Sequence, residues 1–317
     1  MKRRAESRVP AEAAGSRIES WLAGRFSYLD EAGWLRMLAE GRLRVDGAVA
    51  EAGRRLDRGE LVAFDPPPRG EPEVDASYEL LYEDGDFLVV DKPAFLPCHP
   101  GGAFFEHSLS RLLESRFGEV GIATRLDRET SGLVLACRGP AAMAAAQEQR
   151  SSGRLEKDYL ALVHGSFPEC IEARGFLLRD RASLVRKKMR YLAALPPGGD
   201  AAGPQPNEAA AAQACATEFR LERGLGAFSL VRARTLTGRT HQIRATLLEL
   251  GHPIVGDKLY GLDELLFIRF SEGRLSEEDR ARLVLPGQAL HCASLAFEDS
   301  RGRRLRFESS PSWRGGP

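Results

Sequence analysis

The stretch TRLDRETSG, residues 124–132, runs directly into LVLAC at 133–137. The second run is aliphatic and β-branched, the composition of a buried strand, whereas the run before the motif (Val120, Gly121, Ile122, Ala123) is thin. Between them an aspartate stands with an arginine on either side and a glutamate close by. Such a polar stretch reads as a loop delivered by a core strand, and loops anchored in that way are where catalytic side chains tend to sit.

Outward from this strand, residues 78–310 alternate short strands and helices. YELLYEDGDFLVVDKP predicts two strands around a polar turn, HSLSRLLESRFG a helix, AAMAAAQEQR an alanine-rich helix, and EKDYLALVHG and FSLVRART strands. THQIRATLLELG predicts a helix ended by Gly251, and LHCASLAFED with RRLRFE a terminal hairpin. There is no regular βαβ rhythm, so the expected fold class is α+β, a mixed and largely antiparallel sheet flanked by helices. Residues 196–213, PPGGDAAGPQPNEAAAAQ, read as a low-complexity surface insertion, and 311–317 as a tail.

Residues 16–64 form a smaller α/β unit. SRIESWLAGRF and LDEAGWLRMLAEG carry apolar residues at helical spacing, RLRVDGAVAEAG is a hairpin about Asp46-Gly47, and RRLDRGELVAF is a strand. Residues 1–15 are expected to be a flexible lead, and the Pro-rich segment within 65–77 a semi-rigid linker and domain boundary.

Composition narrows the function classes. The chain has 317 residues, 43% hydrophobic and 28% charged, with a formal net charge of zero. Its five cysteines show no metal-binding or redox spacing and look like reduced core residues, which points to the cytoplasm. No export signal and no stretch of membrane-span length is evident. Basic residues nevertheless cluster around 181–190, 232–244 and 301–306, and three such clusters beside the motifs favour a phosphate-binding track over solvated faces.

The six histidines fit no metal pattern, and the glycines form no nucleotide-binding motif. What remains is Asp127 between two arginines and a second basic motif, GRTHQIR, at 238–244. A carboxylate opposed by a guanidinium stays ionised and can serve as nucleophile or base without a metal. A structural ion pair holding the loop fits the same spacing equally well, and Glu129, two residues on, is the second carboxylate that a glycosidase would require.

The stretch RLDRETSGLVLA resembles the signature of the pseudouridine synthases, in the branch acting on large-subunit ribosomal RNA. LYEDGDFLVVDKPAFLPCHPGG (81–102) looks like that family's opening strand pair, and GRTHQIRATLLELGHPIVGDKLYG (238–261) like its later motif. With EKDYLALVHG and LHCASLAFED the resemblance spans nearly all of 78–307. Residues 16–64 are similar to the S-four-type RNA-binding module that precedes the catalytic domain in this family, although here eight arginines face eight acids.

The resemblance implies an isomerase that converts uridine to pseudouridine in RNA, ribosomal RNA first and transfer RNA as the alternative; separately, a monomer is expected. It also implies roles. Asp127 matches the catalytic aspartate, Tyr159 the tyrosine that stacks on the target uracil and is a candidate proton acceptor, and Arg244 the arginine that pairs with the aspartate. Arg125 matches the arginine that helps take the place of the extruded base, Arg239 and His241 are expected to face the RNA backbone, and Lys92 either does so too or simply caps a strand. Thr124 departs from the histidine that often precedes Arg-Leu-Asp, which bears on substrate contacts. The reaction needs neither cofactor nor metal, because it moves a base from one atom to another without redox change or water uptake. A non-catalytic RNA-binding or ribosome-assembly factor, and a nucleoside glycosidase, are the competing readings.

Overall fold

A computed structural model describes residues 5–26, 29–67, 70–194 and 211–316. Contacts divide the chain into two units, Met1–Glu71 and Pro72–Pro317.

In the first unit, β1 (Ala5–Arg8), β2 (Leu43–Val45), β3 (Ala48–Val49) and β4 (Leu61–Phe64) form a sheet in the order β1-β4-β2-β3. Helices α1 (Ile18–Arg25) and α2 (Glu31–Ala39) share one core with it, centred on Ile18, Leu22, Trp34, Leu43 and Leu56. Trp34 meets Phe64 edge-on at 5.0 Å between ring centroids, and Asp30 caps α2 by accepting from Gly33 N at 2.7 Å. The β2–β3 turn places both Asp46 and Gly47 at positive φ, the geometry whose twist matches a two-residue hairpin. Of the flexible lead expected at 1–15, residues 1–4 lie outside the described residues, and residues 5–15 differ from that expectation: Ala5–Arg8 pair antiparallel with β4, and Val9 and Ala13 enter the core. The strand is held by backbone bonds to a sheet edge, which its charged side chains gave no reason to anticipate.

The second unit contains β5 (Glu79–Glu83), β6 (Phe87–Lys92), α3 (Leu109–Phe117), β7 (Val120–Ile122), β8 (Ser131–Arg138) and α4 (Gly139–Ser151). It continues through β9 (Glu156–His164), β10 (Cys170–Arg179), β11 (Met189–Leu192), β12 (Gln213–Leu225), β13 (Phe228–Thr235) and α5 (Gln242–Glu249). Helices α6 (Leu265–Ser271) and α7 (Glu277–Leu283) precede the closing pair β14 (Leu290–Glu298) and β15 (Arg304–Glu308). Among the described residues, 11 strands form one sheet in the order β11-β10-β12-β13-β9-β14-β8-β6-β5, with β15 on β14 and β7 on β8. The sheet is mixed and largely antiparallel, as the sequence predicts. Its parallel pairing, β14 with β8, lies at Ser131 and Gly132, where the TRLDRETSG loop ends.

Leu133, Val134 and Leu135 of β8 have no exposed surface, and each such side chain contributes roughly 1.5–3 kcal/mol relative to exposure. Gly132 sits at φ +106°, and a Cβ there would lie 2.4 Å from the carbonyl oxygen of Cys292. Only glycine lets β14 approach this close. Two long strands, β10 and β12, were not anticipated: β12 alternates Cys215, Thr217 and Phe219 inward, but its small and charged residues sit beside an alanine-rich run. Of the predicted insertion at 196–213, residues 196–210 lie outside the described residues, and Gln213 already begins β12. No described helix is long and apolar enough to cross a membrane.

Candidate active site

The 124–130 loop is tied to the protein at nearly every residue. Thr124 is buried, and its Oγ1 accepts from Leu135 N at 2.8 Å, so the residue that departs from the family's histidine bonds the loop to β8. Leu126 N donates to Cys98 Sγ at 3.2 Å, Thr130 N donates to the Asp127 carbonyl at 3.1 Å, and Gln288 Nε2 donates to Thr130 Oγ1. Lys92 donates from Nζ to the carbonyls of Pro93, Leu96 and Arg128 at 2.8, 2.9 and 3.3 Å. Burial pushes its ammonium down to about 8. This corrects the expectation that Lys92 contacts RNA, because a side chain with no exposed surface cannot touch a docked molecule. Its place is beneath the loop, as a cation that gathers three carbonyls.

Asp127 is left at the surface of this frame with its side chain 27% exposed. Neither neighbouring arginine pairs with it. Arg125 is exposed, while Arg128 lies between the rings of Phe104 and Phe270 at 5.4 and 5.3 Å. The partner is Arg244, 117 positions away on α5, whose Nη1 donates to Asp127 Oδ2 at 2.6 Å. Arg244 is itself gripped by Asp257, with Nε and Nη2 donating to the two carboxylate oxygens at 2.6 and 2.9 Å. Asp257 Oδ1 also accepts from Leu259 N and Tyr260 N, both at 2.9 Å. A bidentate grip on two donors fixes the guanidinium plane and aims the remaining one at Asp127. Burial opposes charge on Asp127, but the attraction and hydrogen bond of Arg244 outweigh it and hold the carboxyl below its ordinary range.

His241 begins α5 in a left-handed conformation, φ 56°, which turns its ring inward. Tyr260 accepts at Oη from Met189 N at 2.7 Å and lies 2.8 Å from His241 Nδ1. Burial raises the Tyr260 phenol well above its usual value, so it keeps its proton and donates to Nδ1. The imidazole proton is then on Nε2, which faces Asp127 Oδ1 at 3.8 Å. Burial also pushes His241 down to about 4, leaving the ring neutral. His241 therefore belongs to the floor beside Asp127. Arg239 is exposed on the connection between β13 and α5, which Gln242 secures by accepting from Thr237 Oγ1 and Arg239 N and donating to Ala216 O and Thr217 Oγ1.

Tyr159, on β9, pairs with Cys292 of β14 and Ala233 of β13. Lys157 Nζ donates to its oxygen at 3.0 Å, and burial raises the phenol well above its usual range. It stays neutral, and although the residue is only 6% exposed it reaches the wall of the cleft. Asp127, Tyr159, His241 and Arg244 line one cleft of about 580 Å³, within the size range of small-molecule sites, together with Arg125, Lys157 and Arg239. Glu129 is absent from that lining, being ion-paired to Lys258 at 2.7 Å with its side chain 14% exposed. The arrangement offers one ionised carboxylate, one neutral aromatic surface and a rim of cations. The sequence reading missed Asp257, Tyr260 and Gln242; all three fall within the GRTHQIR…GDKLYG block, whose polar residues could have marked them as a cluster.

The family profile for RNA pseudouridylate synthase matches residues 86–249. The chain is 29% identical to ribosomal large subunit pseudouridine synthase C of Yersinia pestis, over 95% of this chain and 90% of that protein. It is 32% identical to ribosomal large subunit pseudouridine synthase D of Xanthomonas campestris, over 91% and 83%. Its fold is similar to that of human RNA pseudouridylate synthase domain containing 1, with a TM-score of 0.57 and 24% identity over 77% of this chain and 87% of that one. With more than half of its length matched by the profile, and relatives at this identity aligned almost end to end, the chain belongs to the RNA pseudouridylate synthase family, isomerases that convert uridine to pseudouridine.

Proposed function

We propose that the protein isomerises specific uridines of large-subunit ribosomal RNA, with Asp127 as the nucleophile or base of the reaction. The observation that carries this is the Asp127–Arg244 pair at 2.6 Å, which keeps an accessible carboxylate ionised in a cleft bordered by cations. The bond from ribose C1′ to N1 breaks, the uracil turns, and C1′ joins C5. The C5 hydrogen leaves as a proton and N1 gains one, so atoms and charge balance. Tyr159 is the platform for the uracil, at which stacking is worth about 1–3 kcal/mol. That offsets much of the few kcal/mol needed to draw the base out of its stack. Arg125 fills the place left behind, and Arg239 holds the backbone. The first unit serves as an S-four-type RNA-binding module.

Ribosomal RNA is favoured because two relatives, matched over 90% and 83% of their length, carry the large subunit in their names. A monomer accompanies this reading, since Asp127, Tyr159 and Arg244 of one chain line one cleft, and a cytoplasmic location fits the free cysteines. The glycosidase alternative loses its second carboxylate to the Glu129–Lys258 ion pair.

The test is pseudouridine mapping on total RNA from cells with the gene, without it, and with an Asp127→Asn copy restored. Sites in large-subunit RNA that vanish on deletion and stay absent with the Asn copy are expected. Sites lost from transfer RNA would move the substrate, and an unchanged map would favour an assembly factor.

A further inference from the structure

We propose that Glu264, immediately before α6, is a positioning residue that holds the basic loop 180–188 in a preformed shape beside the cleft, and so sets the affinity for substrate RNA. The inference rests on the reading that RNA is the substrate.

The loop joins β10 to β11 and reads DRASLVRKK. Four cations in nine residues repel one another, and ordering such a segment costs conformational entropy at each residue. Glu264 counters both effects from one carboxylate. Its Oε2 accepts from Ser183 Oγ and Lys188 Nζ, each at 2.8 Å, and its Oε1 accepts from Leu184 N at 3.2 Å. Ser183 Oγ in turn accepts from Val185 N at 3.0 Å. The same helix reaches the loop and the catalytic motif through residues spaced by three: Phe267 lies 4.4 Å from Lys187 Nζ, and Phe270 packs on Arg128 and Lys258.

The far end of the loop is tied to the chemistry. Met189 N donates to Tyr260 Oη, and Tyr260 bonds His241, which faces Asp127. Lys187 is close enough for its charge to be felt at both Arg244 and Asp127. The loop therefore holds Lys187 near the Asp127–Arg244 pair, with its shape fixed before any ligand arrives. Glu264 itself is not among the cleft-lining residues. A group that orders a binding loop without touching the reacting atoms changes affinity, because the unbraced loop must be ordered on binding, and leaves the bond-making step alone.

The experiment compares the full-length wild type with Glu264→Gln, which keeps the shape but sets an amide NH2 against the Lys188 ammonium. Large-subunit ribosomal RNA transcribed in vitro with uridine tritiated at C5 releases tritium on isomerisation, giving kcat and KM. Trypsin, which cuts after Arg186, Lys187 and Lys188, reports the order of the loop. The expected result is faster nicking within the loop and a KM raised roughly tenfold, with kcat within about twofold of wild type. A wild-type KM, nicking at the wild-type rate, or a fall in kcat matching the rise in KM overturns the inference. A wild type that releases no tritium from this RNA overturns the functional reading itself, and the inference with it.

Discussion

Asp257→Asn is the sharpest test of how the site is held. Four donors converge on the Asp257 carboxylate: Nε and Nη2 of Arg244 at 2.6 and 2.9 Å, and the backbone N–H groups of Leu259 and Tyr260 at 2.9 Å. Asparagine has the same outline but one acceptor oxygen, so its amide must confront at least one of these donors. Removing one partner of a buried ion pair costs about 3–5 kcal/mol, and the lower end applies because Asp127 still offsets part of the Arg244 charge. For a unit of this size about 3 kcal/mol corresponds to a fall in Tm of roughly 6–12 °C. The kinetic effect follows from aim. Without the bidentate grip the guanidinium is free to tilt away from Asp127, and a displacement of about 1 Å in such a constellation costs on the order of 100-fold in rate. Thermal denaturation and tritium release from C5-tritiated RNA measure the two effects on the same sample. A Tm within about 2 °C of wild type together with kcat within about threefold would refute the claim that Asp257 aims Arg244.

Three further outcomes are expected. Lys92→Met strands three carbonyls and lowers stability by roughly 1–3 kcal/mol by denaturant titration, while RNA affinity and its salt dependence stay at wild-type values; a flatter salt slope would place Lys92 at the RNA after all. The pH profile of kcat/KM stays flat down to about pH 5, because Asp127 is held below its ordinary 3.8 and the folded-state His241 ring stays neutral until near pH 4, whereas the stability linked to that neutral ring is lost progressively as pH falls from 6.5 towards that value. An acid limb near pH 6–7, the ordinary range of histidine, would contradict this. Arg239→Ala, at an exposed site, weakens binding evenly across RNA sequences and reduces the slope of log K against log salt by about one, with kcat unchanged.

Much was legible in the chain alone, because the physics behind it is local. Aliphatic runs bounded by turns marked β5, β6, β8, β9, β13, β14 and β15 of the large sheet, 3.6-residue spacing marked helices α1 to α5 but not α6 and α7, and turn chemistry marked the Asp46-Gly47 hairpin. The motif blocks gave the family and singled out Asp127, Tyr159 and Arg244. Strand β12 escaped because its inward residues are small, and β1 because its bonding is to a distant backbone.

What only the tertiary structure decided is which polar group meets which. Asp127 stands next to two arginines in sequence, yet its partner lies 117 residues on; Glu129 is consumed by Lys258, 129 residues on; Arg128 turns to two phenylalanine rings. Lys92 goes to the interior and His241 to the floor of the cleft. A side chain's secondary-structure preference is set by its neighbours within a turn or a strand, which a sequence displays. Its charge state and hydrogen-bond partners are set by burial and by whichever groups the fold brings within about 3 Å, and those distances exist only once the sheet has closed.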